Sequence, residues 1–475
     1  MIERQTFSER ILMIGYGSVG RCVLPLLERH IDLPPARIAV IEAHESYDHD
    51  QLNDYVERGL IYEVAEILPG NMAEIVGRHV GPGDLLINVS MNVSSLALMD
   101  WCHRNGVLYI DTSIEPWPRY YDNPDIPVAH RTTYHLRHLA FEMAKSWPPG
   151  SPTVLVSHGA NPGLITYLAK QALVNVADFA GIDPGKPRSR ADWANLALRI
   201  GLKAIHVSEH DTQIANIAKR AGEFVNTWSV PGFWEEALQP VELGWGTHEK
   251  QLPPEASRFD VGSRCAIYLE RPGCLTRVRS WTPSGGPFIG MAIAHAESVT
   301  LAELLTVKAT DGPVYRPTVN FAYHPCNDAL LSIMEMEMRN FSPPASSRLL
   351  TSEIVTGMDE LGALLMGDFG TYWYGSQLSI DEARRLVGPQ FNATSVQIAI
   401  PVVAGALWLI AHPDRGLVEP EDVDHEFVLD ICRPWLGPVV GVRSDWTPLQ
   451  ARGRLFPEPQ LDFADPWQFV NFRTA

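Results

Sequence analysis

Residues Ile11-Leu12-Met13-Ile14-Gly15-Tyr16-Gly17-Ser18-Val19-Gly20 carry an apolar strand straight into a Gly15-x-Gly17-x-x-Gly20 turn. A helix-like stretch, 21–28, follows, and then a second apolar run, 38–41, that ends on Glu42. Strand, glycine turn, helix, strand and acid, in that order, meet the needs of a dinucleotide site. Gly15 permits the tight turn, Gly17 lets the backbone approach a pyrophosphate, and Gly20 lets the helix pack closely on the strand. Ser18 and Val19 open the helix, whose free N–H groups and positive dipole end face the phosphates. Glu42 stands about 20 residues past the last glycine, where a carboxylate accepts hydrogen bonds from the ribose hydroxyls. A 2′-phosphate would meet a like charge there, so the expected cofactor is NAD rather than NADP.

Outward from this motif, strand and helix signals keep alternating. Strands are predicted over 60–64, 84–90 and 107–111, with helices over 72–78 and 94–104, the latter stopped at Gly106. The run Asp84-Leu85-Leu86-Ile87-Asn88-Val89-Ser90 is almost continuously apolar, as in a strand with helices on both faces. The repetition predicts an α/β fold opening with a Rossmann-type, doubly wound parallel sheet, with ligands at the carboxyl ends of its strands. Those ends carry Ser90, Asn92, Thr112, Ser113 and Glu115, which should face the nicotinamide half of the cofactor. A helix over 132–145 leads to Pro148-Pro149-Gly150, a crossover out of the first domain. A strand over 153–157 then enters His158-Gly159-Ala160-Asn161-Pro162-Gly163 and a helix over 164–174. From about 200 to 340 strands prevail, among them 202–207, 264–269 and 276–281, with Gly/Pro turns between them. This predicts an α+β substrate domain on a mixed sheet.

The composition narrows the function classes. The chain has 475 residues, 45% hydrophobic and 20% charged, a soluble balance that suggests two or three domains. Its net charge of −18 argues against a nucleic-acid partner, and an acidic cleft would concentrate a cationic substrate. The same acidity also serves solubility alone. The polar start of the chain lacks the apolar core of a signal peptide, and the longest apolar stretch, 398–411, contains Pro401 and reads as a buried helix rather than a membrane span. Six scattered cysteines without a Cys-x-x-Cys pair suggest reduced thiols in the cytoplasm.

Several groups are candidates for chemistry. The stretch Thr227-Trp228-Ser229-Val230-Pro231-Gly232-Phe233-Trp234-Glu235-Glu236 puts two indoles and two carboxylates around a Pro-Gly turn, shortly after His206, Glu209, His210 and Asp211. Aromatic faces attract ammonium groups, and carboxylates pair with them and accept protons, so the set suits a primary amine or diamine. Core tryptophans beside solvated acids would give the same sequence. His206-x-x-Glu209-His210 also matches an inverted zinc-hydrolase signature, which requires a helix. The preceding residues alternate like a strand, where neighbours point to opposite faces, so no metal site is expected. Asn161-Pro162-Gly163 either binds substrate or ends a strand. His295-Ala296-Glu297 is either a proton-transfer pair or an interior histidine with its partner. The run 331–338, with Met334, Met336 and Met338, reads as core packing.

With Gly15-Tyr16-Gly17-Ser18-Val19-Gly20, the Gly159-Ala160-Asn161-Pro162-Gly163 turn and the stretch through Trp228 and Glu236, the chain resembles the bacterial homospermidine synthases over essentially its whole length. That group belongs to the broader saccharopine-reductase-like dehydrogenases. The resemblance implies a homodimer that holds NAD and transfers an aminobutyl group. One amino-bearing carbon of putrescine is oxidised to an iminium ion, a second putrescine attacks, ammonia leaves, and the new imine is reduced to homospermidine. Spermidine would serve as an alternative donor, releasing 1,3-diaminopropane. It further implies catalytic roles for Glu209 and Glu236 as bases, Trp228 as a π face for the iminium and His295 as a proton carrier. Asn161, Glu115 and Glu297 would bind substrate. Relatives that act on amino acids need arginine clamps for a carboxylate, and Arg199 and Arg264 keep a net dehydrogenase of the saccharopine or carboxynorspermidine type open. The implied division is a nucleotide domain over 1–150 with a return segment around 392–425, a substrate and dimerisation domain over 151–391, and an extension over 426–475.

Overall fold

The computed structural model describes residues 4–44 and 49–474. The segments that alternate in the sequence form a seven-stranded sheet. Its spatial order is Leu417–Val418, Val154–Leu155, Leu108–Asp111, Leu85–Asn88, Ile11–Ile14, Ile38–Glu42 and Ile61–Val64. Every pairing in it is parallel. Strands this apolar need cover on both faces, and Leu12, Met13, Leu85, Leu86 and Ile87 are fully buried. Strand order reverses at Ile11–Ile14, between Ile38–Glu42 and Leu85–Asn88, which opens a crevice at the carboxyl ends of these strands.

The sequence-predicted helices form with their expected punctuation. Ser94 caps Ser95–Asn105 by accepting from the Ala97 N–H, and Gly106 ends it at φ 70. Thr132 likewise caps Thr133–Ala144. The apolar stretch near the C-terminus becomes Ala393–Ala411, one helix through Pro401. It is long and apolar enough to cross a membrane, yet 89% of its apolar window is buried in the protein. It packs against Ser18–His30 and Leu108–Asp111 on one side and the second sheet on the other. Each fully buried Leu, Ile or Val in it contributes about 1.5–3 kcal/mol. The chain then enters Leu417–Val418, which pairs with Val154–Leu155 at the sheet edge.

The second sheet is mixed. Its main path runs Ala256–Arg258, Ala266–Pro272, Pro240–Gly244, Thr318–His324, Leu202–Asp211, Met358–Gly367, Gly370–Ser379 and Val439–Ser444. Thr318–His324 and Leu202–Asp211 are parallel, and Leu202–Asp211 meets Met358–Gly367 antiparallel. The last strand, Val439–Ser444, places the C-terminal part of the chain at this sheet's edge. One hydrophobic core is continuous between the sheets, from Ile11 and Leu27 through Leu168 and Val403 to Val207 and Leu361.

Three local expectations are corrected. The strand at 153–157 pairs only over Val154–Leu155, because Ser157 turns away with φ 57. The strand predicted over 202–207 continues to Asp211 and carries Glu209 with it. The methionine run lies on the helix Asn327–Met338, whose period buries Met336 but leaves Met334 47% and Met338 82% exposed. Core packing therefore holds for Ser332, Ile333 and Met336 of this run, and not for Met334 or Met338.

Candidate functional site

A cavity of about 600 Å³ follows the carboxyl ends of the parallel strands and opens onto the face of the second sheet. Its first half is the glycine turn. Gly15 has φ 101, and a side chain there would collide with the Val89 carbonyl at 2.8 Å. Gly20 lies under the helix, where a Cβ would sit 2.2 Å from the Gly15 oxygen. It therefore shapes the turn without lining the cavity. Gly17 has open space on its Cα, so a Cβ would occupy room that a pyrophosphate needs. No side chain caps the helix Ser18–His30, which leaves its first N–H groups for an anion. Ser18, Val19, Glu42, Ser90, Asn92 and Thr112 all line this half. Glu42 accepts the Tyr16 N–H at 2.5 Å and the Ala43 N–H at 2.8 Å, which orients its carboxylate while each oxygen keeps a second lone pair. These residues fit a dinucleotide.

The second half is acidic and aromatic. Asn161, Glu209, Trp228, Glu236, His295, Phe321, Tyr323 and Thr394 line it, with Glu115 on the wall towards the nucleotide cradle. The turn 159–163 projects Asn161, whose Nδ2 donates to Glu209 Oε2 at 2.6 Å. Only glycine fits at Gly163, where φ is 125 and a Cβ would stand 2.3 Å from the Gly159 oxygen. Burial pushes the Glu209 carboxyl up to about 8, against the Asn161 hydrogen bond and the charge of His295. Behind it, burial raises Asp211 to about 6, and burial with the charges of Glu209 and Asp211 raises Asp359 well above the ordinary carboxylate range. Next to Glu236, outside this cavity, burial raises Glu235 to about 7, and burial with the charges of Glu235 and Glu236 raises Glu115. So many carboxyls with depressed acidity mark a site short of positive charge.

His295 is the exception. Burial disfavours its cation, but Glu236 at 3.2 Å and Glu297 at 3.5 Å outweigh that cost and hold the ring well above its ordinary range. At neutral pH it is a proton donor. Glu297 belongs to the first turn of the inward-facing helix Ala296–Leu304. Its side chain is 1% exposed, lies behind His295 and does not reach the cavity wall. Its expected contact with substrate is therefore corrected to a contact with His295.

The aromatic wall is held by the sheet. Trp228 donates its indole N–H to the Tyr323 hydroxyl at 3.2 Å. Tyr323 stacks on Phe321 with ring centroids 5.3 Å apart, and Phe321 packs on His295 at 4.3 Å. Phe321 and Tyr323 were missed in the sequence, although their spacing of two along Thr318–His324 puts both on one face. The same alternation separates the zinc-like residues. His206 bonds Ser280 at 3.1 Å and His210 stacks on Phe288, on the face opposite to Glu209. Among the described residues, no arginine or lysine lines this cavity. Arg199 instead donates to the Asp183 carbonyl and Arg264 to the Asp260 carbonyl, so neither forms a clamp for a substrate carboxylate.

Known proteins share this fold and sequence. The saccharopine dehydrogenase NADP binding domain matches residues 11–155, and the saccharopine dehydrogenase C-terminal domain matches residues 159–442. A homospermidine synthase of Blastochloris viridis is 45% identical over 97% of this chain and 96% of its own. That of Mesorhizobium japonicum is 44% identical over 97% of this chain and 95% of its own. The crystal structure of the homospermidine synthase from Legionella pneumophila in complex with NAD superposes with a TM-score of 0.92 at 43% identity, covering 99% of both chains. The saccharopine dehydrogenase of Saccharomyces cerevisiae shares the fold at a TM-score of 0.52 and 11% identity, covering 92% of this chain and 100% of its own.

Proposed function

The chain belongs to the homospermidine synthases, within the saccharopine dehydrogenase family, and from that premise we propose how its residues carry the reaction. It is an NAD-dependent enzyme of polyamine biosynthesis. The proposed reaction joins two putrescines, or spermidine and putrescine, releasing ammonia or 1,3-diaminopropane. The observation that carries this reading is the second half of the cavity. It combines Glu115, Glu209 and Glu236 with Trp228 and Tyr323, without an arginine or lysine among the described residues. Such a wall favours a diammonium and offers no arginine fork to a carboxylate, so it supports aminobutyl transfer over a net amino-acid dehydrogenase.

Gly15, Gly17, Ser18, Val19, Glu42, Ser90, Asn92 and Thr112 would hold NAD. Bound there, it supplies the two-electron acceptor that opens the reaction and the donor that closes it. Glu209 receives a proton from the substrate ammonium, because oxidation at the adjacent carbon requires a free lone pair on nitrogen. Entry of the substrate cation favours the ionised form of Glu209 and so prepares the base. Asn161 fixes the direction of that carboxylate. Trp228 offers its ring face to the iminium carbon and nitrogen, stabilising positive charge without taking up a proton. Glu115 and Glu236 pair with distal ammonium groups. The protonated His295, held by Glu236 and Glu297, delivers the proton that lets the departing nitrogen leave as ammonia. The indole and the two stacked rings beside it keep water from the iminium, which would otherwise hydrolyse to an aldehyde.

We also propose a cytoplasmic homodimer, with a nucleotide unit over 1–150 extended through the strand Val154–Leu155 and joined by the return segment, and a substrate unit over the following residues to 391. Incubation of the purified enzyme with putrescine and NAD, without added NADH, tests the reaction. Homospermidine and ammonia in equal amounts with no net NADH support it. Accumulating NADH would identify a dehydrogenase.

A further inference from the structure

Asp111 ends the strand Leu108–Asp111 and is 1% exposed, outside the cavity wall. One of its oxygens accepts the Ser157 N–H at 2.7 Å, the other the Tyr109 hydroxyl at 2.9 Å. Its main-chain carbonyl takes the next N–H, that of His158, at 2.8 Å. Ser157 is held at φ 57, in the left-handed region that a residue with a Cβ rarely adopts. Such a conformation persists only where its surroundings fix it. The chain after Ser157 is the tight turn that closes with the Gly159 N–H on the Pro162 carbonyl at 2.7 Å and starts the helix Leu164–Phe179. At the tip of that turn Asn161 reaches Glu209.

We propose that Asp111 is a positioning residue of the reaction: by clamping Ser157 in its left-handed conformation it sets the turn that aims Asn161 at Glu209. The pairing links the nucleotide sheet to the base on the second sheet, across the cavity where the two meet. The same carboxylate leads the other way too, through Tyr109 to Asn88, which accepts from the Ser90 N–H and hydroxyl beside the cofactor cradle. One buried acid therefore ties the cofactor wall to the turn that bears Asn161. The inference rests on Glu209 as the base. The groups that set its ionisation are the Asn161 amide, His295, Asp211, Glu297 and Asp359, and of these only the amide depends on the turn.

The test is a cycle of Asp111→Ala and Ser157→Gly, with Asp111→Asn as the conservative variant. Asp111→Ala should lower kcat by about tenfold, the scale set by left-handed strain in a non-glycine residue. It should also move the acid limb of the pH–rate profile upward, because Glu209 loses the hydrogen bond that favours its charge. Asp111→Asn keeps an acceptor for the Ser157 N–H and should retain most of kcat. In the Ser157→Gly background, where the turn needs no clamp, Asp111→Ala should cost less than about twofold. An equal loss in both backgrounds, or a fall in kcat with the acid limb unmoved, would overturn the proposal. So would failure of both Asp111→Ala and the double variant to fold, since Asp111 would then serve the fold and not the turn. Failure of the underlying reading looks different: the acid limb would survive Glu209→Gln.

Discussion

Replacing Glu209 by glutamine removes a single proton site from a cavity crowded with acids, and its effect can be worked from the structure. Burial holds this carboxyl at about 8, against 4.5 for an ordinary glutamate. At pH 7 about one tenth of free enzyme carries it ionised, and at pH 9 about nine tenths. The kcat/KM for putrescine in wild-type enzyme should therefore climb about tenfold between pH 7 and pH 9. The amine itself contributes a separate limb near its own pKa, about 10.4 by analogy with lysine. In Glu209→Gln the limb near 8 should vanish and the remaining rate fall by about 10²–10⁴. Stability carries a second signature. A folded-state pKa above the unfolded value gives stability that is complete below pH 4.5 and is lost as pH rises through 8. The loss is on the order of a few kcal/mol, since every tenfold difference in proton affinity between the folded and unfolded chain is worth about 1.4 kcal/mol. Ligand-free Glu209→Gln should accordingly unfold at a higher temperature than wild type at pH 8.5 and not at pH 5. Initial rates of homospermidine formation from pH 6 to 10, with thermal melts at both pH values, make the assay. A limb near pH 8 that survives in Glu209→Gln would refute the assignment of this residue as the base.

Trp228→Ala should lower turnover sharply with NAD affinity and melting temperature nearly unchanged, and Trp228→Phe should be milder because benzene keeps a weaker π face; full turnover in the alanine variant would make Trp228 a packing residue. Glu42→Ala should weaken NAD and narrow its advantage over NADP, as read by cofactor titration, whereas equal binding of both by the unaltered enzyme would remove Glu42 from this role. Dialysis against a strong chelator should leave activity intact, since His206 and Glu209 face opposite sides of one strand. Activity lost to the chelator and restored by zinc would contradict that geometry.

The parts of the molecule legible in the sequence are those fixed by local constraint. Gly15 needs a positive φ and Gly20 a close approach, demands that single residues announce. The parallel sheet follows from uninterrupted apolar runs such as Leu85–Asn88, and the buried helix Ala393–Ala411 from its length and composition. What stayed hidden depends on long-range register. Tyr323 and Phe321 flank the site only because Thr318–His324 pairs in parallel with Leu202–Asp211, setting Tyr323 opposite Glu209. Glu297, two residues from His295, is expected from the sequence to touch substrate, yet the helix Ala296–Leu304 turns it inward behind the ring. The exposure of Met334 and Met338 follows from which face of Asn327–Met338 meets the core, a choice that apolar composition alone does not make. The role of Asp111 rests on the backbone angle of Ser157, for which a serine gives no signal.

Electrons taken from the substrate should return to it within one cavity, without passing through free NADH. Putrescine deuterated at both amino-bearing carbons, mixed with unlabelled putrescine and catalytic NAD, tests this most directly by mass spectrometry of the product. The expected product is homospermidine whose transferred aminobutyl unit keeps all of its deuterium, with no NADH in solution at any stage. Transferred units lacking one deuterium, together with deuterium in the free nicotinamide pool, would contradict it.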